Sequence, residues 1–138
     1  MISLLGHCGR GGEAIMGRST DMYVWECGGY SVVGGIHPWP IPNNPDGTMD
    51  LDEIEAAIRE EDMHFPRTQV ICIENTHNVC GGVPITPEYL SSVVALARQR
   101  NVPVHVDGAR IFNAAVALNV DVKGLTKGTD SLQFCLSK

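Results

Sequence analysis

The chain is 138 residues long, 43% hydrophobic and 19% charged, with a formal net charge of −6. One globular core is expected at this length, and the apolar content excludes a disordered chain. The acidic balance argues against nucleic acid or an anionic membrane as a partner, because both select basic faces, and no apolar run approaches the roughly 18 residues that a spanning helix needs.

The segment Met1–His7 lacks the basic region and long apolar run of a secretory signal. The cysteines are Cys8, Cys27, Cys72, Cys80 and Cys135. Their odd number, and the strand-like settings of Cys72 and Cys135, read as reduced thiols of a cytosolic protein. Cys72, His77 and Cys80 lack paired Cys-x-x-Cys spacing and a fourth ligand, so no metal site is expected.

In chain order, Ile2–Cys8 reads as the end of a helix closed by Gly9, Gly11 and Gly12. Glu13–Met16 is a short strand, Met22–Cys27 a helix stopped by Gly28 and Gly29, and Gly35–Ile41 a second strand. The turn chemistry of Pro42–Gly47 makes it a loop. Asp50 and Glu53 resemble a capping box opening a helix whose apolar stripe is Leu51, Ile54, Ala57 and Ile58. Gln69–Ile73 is a β-branched, buried strand. Thr86 and Pro87 suit an N-cap and first helical position, ahead of a stripe at Leu90, Val93, Val94 and Ala97. Val102–Val106 is a strand, Ala109–Leu118 a helix and Leu132–Leu136 a last strand. Alternation of this kind predicts an α/β fold with a parallel sheet and helices on its faces. Sites in such sheets gather beyond the carboxyl ends of the strands.

Three groups of polar residues follow predicted strands: Glu74–Asn78, Asp107–Arg110 and Lys138. Asp107 and Lys138 are 31 residues apart, a spacing that suits one helix plus one strand and puts both at neighbouring strand ends. An acid and a lysine so placed suit pyridoxal 5'-phosphate: the amine condenses with its aldehyde, and the carboxylate keeps the pyridine nitrogen protonated. Spacing alone favours the plainer reading of these residues, a strand-end Asp–Arg ion pair and a solvated lysine.

The runs Glu74-Asn75-Thr76-His77-Asn78, Gly81-Gly82, His105-Val106-Asp107-Gly108-Ala109-Arg110 and Ser137-Lys138 together resemble the threonine aldolase family. Asp46-Gly47-Thr48 and His64-Phe65-Pro66-Arg67-Thr68 fit it too. The resemblance implies the central part of the large domain of the aspartate aminotransferase fold (pyridoxal-phosphate fold type I), with a mostly parallel sheet and flanking helices. It implies a homotetrameric lyase that cleaves L-threonine or L-allo-threonine to glycine and acetaldehyde. By position, Lys138 matches the cofactor lysine, Asp107 the partner of the ring nitrogen, and Arg110 a cofactor-site arginine. His64 matches a histidine near the substrate hydroxyl and Glu26 an active-site glutamate; read without the resemblance, they are a loop histidine and a solvated helix acid.

Two departures stand out. Asp21 occupies the position of the family's ring-stacking histidine, and a carboxylate cannot stack. The resemblance also implies that the phosphate-binding loop precedes Met1 and that a smaller C-terminal domain follows Lys138. The 138 residues alone are therefore expected to be inactive; the alternatives are a non-catalytic remnant, or another enzyme of the same fold such as an aminotransferase.

Overall fold

A computed structural model describes all 138 residues. Five parallel strands form one sheet in the order β2-β1-β3-β4-β5. They are β1 (Glu13–Gly17), β2 (His37–Ile41), β3 (Thr68–Glu74), β4 (Val104–Gly108) and β5 (Ser131–Phe134). The helices are α1 (Ile2–His7), α2 (Asp21–Val24), α3 (Gly29–Val32), α4 (Leu51–Ala57), α5 (Pro87–Gln99) and α6 (Ile111–Leu118), with a 3-10 turn at Val122–Thr126.

The sheet is buried because its inner strands are apolar on both faces. Ile15, Ile71, Ile73, Val104 and Val106 enter a cluster with Leu90, Val93 and Ala97 of α5 and Ile111 of α6. The alternate residues Ala14, Met16, Val70 and Cys72 meet Leu4 of α1 and Tyr30 of α3. Burying each large aliphatic side chain contributes about 2 kcal/mol before cavity terms. On β4 the second face is polar: His105 and Asp107 lie there, both buried. No helix is long and apolar enough to cross a membrane.

Several boundaries differ from the sequence reading. The helix expected at Met22–Cys27 is only Asp21–Val24, and Gly28–Gly29 opens α3 instead of ending a helix. Gly28 has φ 64°, the left-handed turn that starts α3. The Gly35–Ile41 strand begins at His37, and the strand placed at Val102–Val106 runs two residues later, so Asp107 and Gly108 belong to β4. Arg110 is the N-cap of α6, not a residue of its first turn. Gly108 is required by close packing: an added Cβ would lie 2.6 Å from Leu132 Cδ1 and 2.9 Å from the Gln133 carbonyl oxygen. Asp50 caps α4 by accepting from the Asp52 amide at 2.8 Å, and Thr86 caps α5 by accepting from the Tyr89 amide at 3.3 Å.

Candidate active site

The chain leaves β1 toward β2 on one side and returns to place β3 on the other. The crevice at the carboxyl ends of β1 and β3 is thus a topological switch point, where ligands of open α/β sheets bind. Thr20 and Asp21 follow β1 there, Glu74–Asn78 close β3, and Asp107 pairs with Glu74 across the β3–β4 register.

A cleft of about 460 Å³ opens at this edge, and the charged side chains lining it are Asp21, Glu26, Asp107 and Lys138. Asp107 is 8% exposed. Its Oδ1 accepts from the Ala109 amide at 3.1 Å and from the side-chain amide of Gln133. Both bonds fall on one oxygen and leave Oδ2 for a donor in the cleft. Lys138 is exposed, and its Nζ reaches Cys135 Sγ at 3.8 Å. Asp21 opens α2; its carboxylate accepts from Asn78 Nδ2 at 3.2 and 3.3 Å and lies 3.6 Å from Arg110 Nη1. Glu26 lines the cleft from the turn after α2.

The sheet does not bring His64 to this place. His64 lies four residues before β3 begins, at the end of the sheet where strands start, with its side chain 79% exposed and paired to Asp62. Within one chain, His64 lies outside the cleft that holds Lys138. Gln133 and Glu74, both in the site's geometry, carry no role in the sequence reading. Gln133 meets Asp107 only through the β4–β5 register, which no local pattern announces. Burial pushes the Glu74 carboxyl up to about 7, the Asn78 and Asp21 amide bonds pull it down, and the charges of Asp21 and Asp107 raise it further.

Three buried side-chain polar atoms in this chain make no hydrogen bond: Thr20 Oγ1, His77 Nε2 and Arg110 Nη1, the last with only the 3.6 Å ion pair to Asp21. All three belong to residues at the carboxyl edge of the sheet, so the polar groups that await a ligand are at the switch point. A free carboxylate oxygen and a lysine amine in one cleft fit the ring and aldehyde end of pyridoxal phosphate. The side chains lining the cleft include three acids and one base, so the lining matches the ring end and not the phosphate.

The fold is that of threonine aldolases and aminotransferases of pyridoxal-phosphate fold type I. A threonine aldolase from Leishmania major superposes with TM-score 0.75 at 23% identity, covering 94% of this chain and 38% of that one. An N-succinyldiaminopimelate aminotransferase from Mycobacterium tuberculosis superposes with TM-score 0.61 at 25% identity, covering 78% and 26%. The family profile described as beta-eliminating lyase matches residues 1–138, and the chain belongs to that family. A relative named low-specificity L-threonine aldolase 1, from Arabidopsis thaliana, is 48% identical over all of this chain and 39% of its own length. The resemblance to threonine aldolases read from the motifs is borne out. The chain spans between a third and two fifths of the length of the curated relatives it matches.

Proposed function

We propose that the cleft is the ring-binding part of a pyridoxal-phosphate site in a cytosolic, homotetrameric aldehyde-lyase that splits L-threonine or L-allo-threonine into glycine and acetaldehyde. The 138 residues form part of that enzyme's larger cofactor-binding domain. The observation that carries the reading is the meeting of Asp107 and Lys138 in one cleft at the switch point. The threonine aldolase relatives support the substrate.

When bound, the cofactor supplies an electron-poor ring that accepts the electron pair released as the Cα–Cβ bond breaks. Lys138 would hold the cofactor through its side-chain amine, and Asp107 Oδ2 would pair with the protonated ring nitrogen; the Ala109 and Gln133 bonds to Oδ1 keep that carboxylate aimed. Arg110 and Asn78 hold Asp21 at the mouth. Glu26, the acid on the wall of the cleft, takes the β-hydroxyl proton, directly or through a water.

Adding pyridoxal phosphate to the chain is expected to give an absorbance band near the visible edge, and Asp107→Leu is expected to weaken cofactor binding at least tenfold by removing the ring-nitrogen partner. No band in the wild type contradicts the reading. In the complete enzyme, keto acid without acetaldehyde from L-allo-threonine would favour an aminotransferase instead.

A further inference from the structure

We propose that Glu74 is the positioning residue of this cleft: its carboxylate clasps the start of α2 and the loop after β3 against the end of β4, and its protonation releases one of the two.

Glu74 is the last residue of β3, 3% exposed. Its Oε2 accepts from the Asp21 amide at 2.8 Å, and its Oε1 accepts from the Asn78 amide at 2.8 Å. Those amides lie 57 residues apart in sequence. With both held, Asn78 Nδ2 reaches the Asp21 carboxylate, and Asp21 in turn faces Arg110. The placement of Asp21 and Asn78 at the mouth thus passes through one buried side chain that is not itself part of the cleft lining.

A carboxylate accepts at both oxygens. A protonated carboxyl turns one of them into an O–H, a donor confronting an N–H, so one bond of the clasp is lost. The charged and titratable groups around Glu74 are Asp21 on α2, Asp107 on β4 and Cys80 on the loop after β3, while Arg110 at the cap of α6 and His77 face Asp21 beside it. Burial and the two aspartates bring its titration to about 7, so the clasp works in the neutral range. It exists without cofactor and goes beyond the reading of the cleft as a pyridoxal-phosphate site.

The test is a pH titration of the 138-residue chain by nuclear magnetic resonance, following the Glu74 side-chain carboxyl carbon and the amide resonances of Asp21 and Asn78. The expected result is one midpoint near 7 for all three, with the proton of the released amide moving upfield on acidification and the other amide shifting less. In Glu74→Gln the amides of Asp21 and Asn78 lose that step. The wild-type titration decides the matter even where Glu74→Gln fails to fold. The proposal is overturned if Glu74 titrates in the ordinary range of a solvated carboxyl, about 4.3. It is equally overturned if the two amides move with different midpoints, or if Asn78 follows the His77 ring instead. Pyridoxal phosphate added to a parallel sample reads the cofactor separately: a shared midpoint without cofactor binding supports the clasp and defeats only the cofactor reading.

Discussion

Arg59→Met is expected to destabilise the chain by about 3 kcal/mol, because it strands a buried charge. Glu13, the first residue of β1, is fully buried. Its carboxylate receives Arg59 Nε at 3.4 Å and the Thr68 hydroxyl at 3.3 Å, with His37 Nε2 at 3.6 Å. Glu13, His37 and Thr68 are the opening residues of β1, β2 and β3, so one acid ties three strand starts together. Arg59 also lies 3.9 Å over the Trp39 ring. Methionine keeps an apolar stem on that ring and removes only the charge and donors. The Arg59 side chain is 23% exposed, and the screening this allows puts the loss at the lower end of the range for broken buried pairs. Against a total stability of about 5–15 kcal/mol, the loss is a large share. The double variant Glu13→Gln/Arg59→Met should regain most of it, since a neutral amide still pairs with Thr68. Urea unfolding of the wild type, Arg59→Met and the double variant checks this; a loss for Arg59→Met well under about 1 kcal/mol contradicts it.

The second large effect is hidden in the wild type by two opposed titrations. Burial lowers His105 from 6.5 to about 4, a fall partly offset by Asp107 and deepened by His7. A depressed histidine contributes stability that is present above pH 6.5 and is lost as pH falls toward 4. Glu74 runs the other way. Raised from 4.5 to about 7, it contributes stability that is full below pH 4.5 and is lost as pH rises through 7. Each group is worth on the order of 3 kcal/mol across its window. Together they leave the wild type nearly flat where the windows overlap. Glu74→Gln should expose the His105 limb, losing about 3 kcal/mol relative to wild type on going from neutral to about pH 4. His105→Gln should expose the Glu74 limb and gain stability over the same interval. Denaturant midpoints at a series of pH values check both; parallel curves for all three proteins would contradict the assignment.

Much of this was legible in the sequence, and the reasons are local. Thr86 and Pro87 before a stripe of Leu90, Val93 and Ala97 fix α5, because cap and period agree. The β-branched run ending at Ile73 fixes β3. Asp107 and Lys138 were visible because the ends of parallel strands are read directly from strand positions. The α3 turn was not legible, since Gly28 and Gly29 read as a stop and only Gly28's left-handed backbone makes them a start. The ends of β4 and β5 depend on pairing with neighbours, which displaced both by one or two residues. His64 shows a limit of motif reading. Its run matches the family, yet its place just before β3 puts it at the wrong end of the sheet for its own chain's cleft. Glu74 and Gln133 act through donors and acceptors brought together by the sheet, from Asp21 in one case and Asp107 in the other. No spacing along the chain encodes either contact.

The chain has three lysines, Lys123, Lys127 and Lys138. The first two precede β5, at the end where strands begin, and only Lys138 lines the cleft with Asp107. Reducing the chain with borohydride in the presence of pyridoxal phosphate, then mapping the modified peptide by mass spectrometry, asks directly which amine the cleft presents. The predicted result is a pyridoxyl group on Lys138 alone, abolished by Lys138→Ala and greatly reduced by Asp107→Leu. Label spread over Lys123 and Lys127, or carried by the Met1 amine that shares the cleft, would contradict the account.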